Sequence, residues 1–225
     1  MLIVIPARRG SKRVPGKNTR LLGGLPLWKH TEQVAIAFAG AANVYLVTND
    51  PAIVDDPTRQ AKRCSRSEES EADGAPDVLW AEPVARLFMK EGEMMILRPT
   101  SPFRTVAMLQ RAAEQFFRTP VESLRAVSPA PAHPGKMWYC GARMTPVCPG
   151  SHPDGTPWHS SPTQTLWPVY LQNASLEIVN LDVVRAGSLS GTIIAPFYTY
   201  GHEGFDINTE EDFTNAERII AQRPA

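Results

Sequence analysis

The residues with the clearest chemical potential stand at the start of the chain. A short apolar run, Leu2-Ile3-Val4-Ile5, breaks at Pro6 into a segment carrying Arg8, Arg9, Lys12, Arg13 and Lys17, with glycines at Gly10 and Gly16. Glycine lets backbone N–H groups approach an anion, and Arg and Lys neutralise it. Cations on a glycine-containing turn directly after a buried strand fit a polyphosphate, because open α/β sheets place ligand loops at the carboxyl ends of their central strands. The spacing is not that of a Walker A loop: five residues separate Gly10 from Gly16, and Asn18, not Ser or Thr, follows Lys17. A secretory signal is excluded, because the apolar core is too short and the charges follow it.

Two more segments carry polar chemistry after apolar runs. Arg98-Pro-Thr-Ser-Pro-Phe-Arg104 combines two cations and two hydroxyls on a proline-stiffened backbone. It reads either as a ligand loop or as the N-terminal turn of a helix, capped by Ser101 or Thr105 with Arg104 in solvent. Phe205-Asp-Ile-Asn-Thr209 places Asp206 and Asn208 two apart, on one side of an extended segment. That pair suits Mg²⁺ beside phosphates, or else the junction into a capped helix. The charged stretch at residues 66–73 reads as a solvated, irregular loop. Asn173 reads as a turn residue or a substrate contact.

The elements that must position these loops follow from periodicity. Strands are expected at residues 2–5, 44–48, 94–97 and 124–128, and helices at 25–40, 75–90 and 106–118, with a short helix at 51–55. This alternation predicts a mostly parallel central sheet with helices on both faces, a Rossmann-like three-layer α/β fold. Further strands are expected at 176–180 and 191–195, an extended piece at 198–207, and a last helix capped by Thr209 with Asp212 three residues on. Proline, 21 residues in all, concentrates between Pro129 and Pro168. The 225 residues therefore read as a single domain in which 129–170 forms a Pro-rich subdomain.

Composition narrows the classes. The formal net charge is zero, which gives no general basic surface for nucleic acid or membrane. No apolar stretch approaches the roughly 20 residues of a membrane span. Cys64, Cys140 and Cys148 show no CxxC spacing, and an odd count without a leader predicts a reducing, cytoplasmic setting. The five histidines are scattered without metal-ligand spacing.

Taken in order, the motifs resemble the acylneuraminate cytidylyltransferase (CMP–sialic acid synthetase) family. Ile5-Pro-Ala-Arg-Arg-Gly-Ser-Lys-Arg-Val-Pro-Gly-Lys-Asn18 is similar to its N-terminal signature, and Leu22-Gly-Gly-Leu-Pro-Leu27 and Val47-Thr-Asn-Asp50 to its next two motifs. Residues 66–73, Leu97-Arg-Pro-Thr-Ser-Pro-Phe-Arg104, His133-Pro-Gly-Lys-Met-Trp138, residues 164–177 and Phe205-Asp-Ile-Asn-Thr-Glu-Glu-Asp-Phe213 resemble the later ones, so the likeness spans the chain.

The resemblance implies a nucleotidyltransferase fold with a small protruding subdomain that mediates homodimerisation. It also implies a reaction in which CTP and a nonulosonic acid give a CMP-sugar and pyrophosphate with Mg²⁺, for surface polysaccharide assembly. It implies that Arg8, Ser11, Lys12 and Lys17 meet the CTP phosphates, and that Asn18 and Arg66, with Ala75 or its neighbours, lie at the cytosine and ribose. Thr100 and Ser101 would also bind nucleotide, and Arg8, Lys17 and Asp206 would form the catalytic set. Arg98, Arg104, Gln164 and Asn173 would face the sugar, and Asp206 with Asn208 would hold the metal. The chain departs from the family pattern at Ser67, Arg98, Thr163, Ala174 and Asn208, where the pattern has Pro, Gln, Arg, Gly and Asp. Arg98 adds a cation for a sugar carboxylate or phosphate. These departures keep two other readings open: a nucleotidyltransferase for a sugar or polyol phosphate, and a CTP-binding protein impaired in catalysis.

Overall fold

The computed structural model describes residues 1–72, 74–87 and 91–222. The predicted endpoints at Asp73 and Lys90, and the apolar position Phe88, lie outside the described residues. The chain divides into two compact units, one formed by residues 1–126 and 173–225, the other by residues 127–172.

The first unit is built on β1 (Leu2–Pro6), all five residues of which are buried. A strand buried on both sides reads as an unbroken apolar run, which is what a helix-covered sheet requires. Around it, in chain order, come the hairpin β2 (Leu21–Leu22) and β3 (Leu25–Pro26), α1 (Leu27–Ala39), β4 (Val44–Val47) and α2 (Pro51–Val54). There follow β5 (Lys62–Cys64), α3 (Glu68–Glu71), α4 (Val78–Leu87), β6 (Glu93–Ile96), α5 (Val106–Arg118) and β7 (Ser123–Pro129). After the second unit's hairpin, β8 (Trp138–Cys140) and β9 (Met144–Pro146), the chain returns through β10 (Tyr170–Asn180), α6 (Leu181–Arg185), β11 (Ile194–Tyr198) and α7 (Glu210–Ala221).

The main sheet has seven strands in the order β11-β7-β10-β6-β1-β4-β5. β1 runs parallel to β4 and β6, and β4 parallel to β5, so their carboxyl ends share one edge. β10 joins β6 antiparallel. The alternation along β1 feeds two cores. Ile3 and Ile5 pack with Trp28 and Ala35 of α1 and Met108, Leu109 and Phe116 of α5. Leu2 and Val4 pack with Trp80 and Val84 of α4 and Leu181 and Val184 of α6. These are the three layers the sequence predicts.

A third, smaller core matters most for the site. Val14 from the loop after β1, Phe103 from the loop after β6, Ile207 and α7's Phe213 are all buried together. Three loops that are distant in sequence are thereby pinned to one apolar nucleus. Gly23 follows the same logic at φ +58°: a Cβ there would lie 2.7 Å from Ile220 Cγ2 of α7.

Several sequence expectations shift. The 75–90 helix begins only at Val78. The strand expected at 191–195 is β11, at Ile194–Tyr198, which also takes the start of the piece expected at 198–207. The stretch read as a solvated loop at 66–73 contains α3, with Ser67 as its N-cap accepting from Ser70 N. The second unit gathers aromatic rings of its own: the Trp158 and Trp167 rings lie 4.5 Å apart, and His133 is 4.7 Å from Trp167. Lys136 Nζ donates to the carbonyls of His159 and Ser161.

Candidate active site

The segment after β1 folds on itself and turns its charges outward. Gly10 (φ +82°) and Gly16 (φ +63°) take backbone conformations that side-chain-bearing residues disfavour. Lys17 N donates to Val14 O, and Asn18 Nδ2 closes the loop by donating to Arg8 O at 3.0 Å. Asn18 O then accepts from Trp28 N of α1. With Val14 buried and Asn18 tied down, the cations between them are the part left to face a ligand.

They face a cavity of about 530 Å³ at the carboxyl edge of the parallel strands. Arg8, Ser11, Lys12, Arg13, Lys17 and Asn18 line one side. Arg66, which follows β5, and Asp77, just before α4, line another, and Arg98 and Thr100 from the loop after β6 complete it. Eight residues predicted from the sequence to form the site are thus brought together: Arg8, Ser11, Lys12, Lys17, Asn18, Arg66, Arg98 and Thr100.

Others are not on this lining. Ser101 is fully buried. Arg104, expected at the substrate or in solvent, is a clamp beneath the loop: its guanidinium donates to Ser175 O, Thr31 Oγ1 and the Arg98 carbonyl, and burial pushes it down to about 9. Thr105 caps α5, accepting from Met108 N. Asn173 is committed internally, donating to Thr199 Oγ1 and accepting from Ser175. Gln164 belongs to the second unit.

Asp206 and Asn208 stand behind the cation loop. Lys17 Nζ donates to Ile207 O at 2.7 Å, and Arg13 donates to Asn208 Oδ1 at 3.1 Å. Asn208 Nδ2 donates to Asp206 Oδ2 at 2.6 Å, while Asp206 Oδ1 is buried with no hydrogen-bond partner among the described residues. The Asn208 carbonyl oxygen, offered to a metal in the sequence reading, is taken by Arg13. Asp206 alone keeps a lone oxygen for a cation. No cluster of three or more His, Cys, Asp or Glu that could hold a metal occurs among the described residues. The residues therefore fit an ion such as Mg²⁺ that takes one carboxylate oxygen and draws its other ligands from phosphate and water. The helix-cap reading of this loop holds as well: Thr209 and Asp212 form a reciprocal capping box on α7.

The electrostatics follow from burial. Burial pushes the Lys17 ammonium below the ordinary lysine range; Asp206 offsets part of this, while Arg13 and Arg8 add to it. Arg66 is lowered for the same reason, with Asp77 and Glu71 opposing. Its backbone is locked by Asn49, which accepts from Arg66 N at 3.0 Å and donates to Arg66 O. In the sequence Asn49 stands in the Val47–Asp50 motif without any sign of a link to Arg66.

Arg98 is not an unpaired cation. Its Nη2 lies 2.8 Å from Asp77 Oδ2 and 2.6 Å from Glu177 Oε1, and Glu177 also pairs with Arg125. Burial works against the charge of Asp77, but Arg98 and the Trp80 indole N–H hold its carboxyl below the usual range. Asp77 carried no sequence signal: it stands just before a helix, where Asp is ordinary.

A cation-lined cavity at the carboxyl ends of parallel central strands defines a nucleotide-handling α/β protein. The chain belongs to the cytidylyltransferase family, whose model matches residues 2–131. It is 36% identical over 231 residues to the CMP-N,N'-diacetyllegionaminic acid synthase of Legionella pneumophila, covering 98% of this chain and 96% of that protein. It is 34% identical over 117 residues to the 3-deoxy-manno-octulosonate cytidylyltransferase of Methylococcus capsulatus, covering 52% of this chain and 44% of the relative. Among solved structures, CMP:2-keto-3-deoxy-manno-octonic acid synthetase complexed with CTP superposes with a TM-score of 0.69 at 18% identity, over 98% of both chains. The 4-diphosphocytidyl-2C-methyl-D-erythritol synthase of Anaerococcus prevotii superposes at 0.65 with 10% identity, over 98% of this chain and 99% of that one.

Proposed function

We propose that this chain transfers the cytidylyl group of CTP to the anomeric hydroxyl of a nonulosonic acid, giving a CMP-sugar and pyrophosphate. The observation that carries this reading is the loop after β1: Arg8, Ser11, Lys12 and Lys17 converge on one cavity wall, in a chain similar over nearly its whole length to a CMP-nonulosonate synthase. The sugar hydroxyl oxygen forms a bond to the α-phosphorus, its proton passes to water, and the bond from that phosphorus to the pyrophosphate oxygen breaks. Positioning and charge supply the catalysis. The loop cations stabilise the charge that grows on the phosphates in the transition state.

In this reading Arg66 and Asn18 hold the nucleoside, and Thr100 lies between nucleotide and acceptor. Mg²⁺ bound at Asp206 Oδ1 would add charge neutralisation at the phosphates. Asn208 orients Asp206 by holding its other oxygen. Ser101 and Arg104 support the loop from below. The second unit exposes Met137, Tyr139, Met144 and Trp167, which supports a contact with a second copy and a homodimer in solution.

The test is pyrophosphate release from CTP, UTP, GTP and ATP with Mg²⁺ and a panel of nonulosonic acids. Turnover with CTP alone is expected. Turnover with UTP or GTP and none with CTP would overturn the nucleotide assignment. CTP binding that ignores Mg²⁺ and yields no turnover would mark a catalytically impaired protein.

A further inference from the structure

The Arg98 cluster has a chemistry that the cation loop lacks. Arg98 and Arg125 carry two positive charges, Asp77 and Glu177 two negative ones, and the four side chains join through a single series of ion pairs. Arg98 and Asp77 both line the cavity, their side chains 24% and 37% exposed, whereas Glu177 is buried at 3%. Arg98 meets both carboxylates through Nη2. Its Nε and Nη1 make no hydrogen bond among the described residues, and neither is a buried orphan. An arginine has five N–H donors and no acceptor, so an edge of donors stays open to a ligand. Beside it, Asp77 has one donor on each oxygen, Arg98 on Oδ2 and Trp80 on Oδ1, which leaves lone pairs free.

A donor edge next to an acceptor edge, with the charge of both internally balanced, complements a neutral group that carries one acceptor and one donor. A secondary amide is such a group. A phosphate or carboxylate is not: it gains from an unpaired cation, and here it would meet Asp77 as well.

Topology places Arg98 on the acceptor side, and its ion pair holds Asp77 next to it. The cation loop follows β1, and Arg66 follows β5, two strands along in one direction. Arg98 follows β6, on the opposite side of β1, and its partner Glu177 comes from β10, one strand further out, opposite Ile96. A nucleotide that spans Arg66 and the β1 loop leaves the β6–β10 side to the acceptor.

We propose that Asp77 and Arg98 are specificity residues that read an acylamido group of the sugar: Arg98 donates to its carbonyl oxygen and Asp77 accepts its N–H. This rests on the cytidylyltransferase reading above and narrows its acceptor to N-acylated sugar acids, with phosphate-bearing polyols excluded.

The experiment compares wild type, R98Q and D77N in pyrophosphate release with saturating CTP. The acceptors are N,N'-diacetyllegionaminic acid, 3-deoxy-manno-octulosonate, which has hydroxyls and no acylamido group, and 2-C-methyl-D-erythritol 4-phosphate. Both sugar acids share the carboxylate, so a residue that binds it loses equally with both. Wild type should prefer the diacetyl acid and ignore the polyol phosphate. Each variant should lose kcat/KM for the diacetyl acid at least about tenfold more than for octulosonate, mostly in KM, because a buried amide left half-paired is rejected. KM for CTP should stay within about twofold.

Equal losses with both acids, a matching rise in KM for CTP, or no change in either variant would overturn this inference while leaving the cytidylyltransferase reading in place. Wild type that prefers octulosonate or the polyol phosphate would overturn it too. Absence of pyrophosphate from wild type with every acceptor would overturn the underlying reading, and the inference with it.

Discussion

Replacing Lys17 with Met tests the cation loop most cleanly, because the change keeps the stem and removes only the ammonium. Two costs follow, and they separate. For stability, Lys17 Nζ donates to one partner, Ile207 O, at 2.7 Å, and Ile207 stays anchored through its own N–H to Thr100 O and its place in the third core. Losing one such bond costs about 1 kcal/mol. That lowers Tm by about 2–4 °C in a chain of this size. For catalysis, an ammonium about 4 Å from a phosphate oxygen contributes about 4 kcal/mol at an effective dielectric of about 20. Removing one preorganised charge donor from such a site typically costs about 10²–10³ in kcat. K17M should therefore lose at least about a hundredfold in kcat/KM for CTP, measured by coupled pyrophosphate release. Differential scanning fluorimetry on the same preparation should show only the small shift in Tm. Activity within threefold of wild type, or a Tm that collapses by tens of degrees, would rule out this role for Lys17.

Three other outcomes are expected. Because burial depresses the Lys17 pKa, the native state releases this proton at a lower pH than the unfolded chain; kcat/KM for CTP should fall on an alkaline limb below ~10.4, and K17R should move that limb upward. The same displacement means that stability gains with rising pH between the depressed value and the ordinary lysine range, so loss of activity on that limb should not be accompanied by unfolding. Glu177→Leu takes from Arg125 its paired carboxylate and leaves Arg98 with Asp77, costing about 3–5 kcal/mol and lowering Tm by roughly 6–20 °C in thermal melts; a change under 2 °C would contradict the network. Asn208→Asp puts a carboxylate against Asp206, so Mg²⁺ should raise the variant's Tm more than that of wild type, and identical Mg²⁺ titrations would remove residue 208 from the metal's surroundings.

Much of this architecture was legible in the sequence because burial on both faces leaves a plain signature. Leu2-Ile3-Val4-Ile5 could only be a central strand, and the charges after it could only lie at a sheet edge. The edge strand β5 was not legible, because it is three residues, Lys62–Cys64, two of them exposed, and shows no apolar run; of β10 only the buried half at 176–180 was legible, because its first three residues are exposed. The site was legible as a set of loops but not as a set of partnerships. Arg98 reads as a free cation in sequence because its neutralising carboxylates arrive from α4's start and from β10, 79 residues away in the latter case. Arg104 reads as a sugar contact or as solvated because nothing in the sequence reveals the carbonyls of Ser175 and Arg98 that hold it. Asp206 and Asn208 read together as a metal pair, with Asn208 the uncharged member; only the fold tells which oxygen Arg13 has already taken.

Phosphorus-31 NMR of wild type with CTP, Mg²⁺ and N,N'-diacetyllegionaminic acid shows directly whether an acceptor hydroxyl attacks the α-phosphorus of CTP. With that attack, the three CTP resonances give way to inorganic pyrophosphate and one new phosphodiester signal in equal amounts, and K17M slows both together. CDP with a phosphorylated sugar, or free CMP with pyrophosphate and no diester, would contradict it.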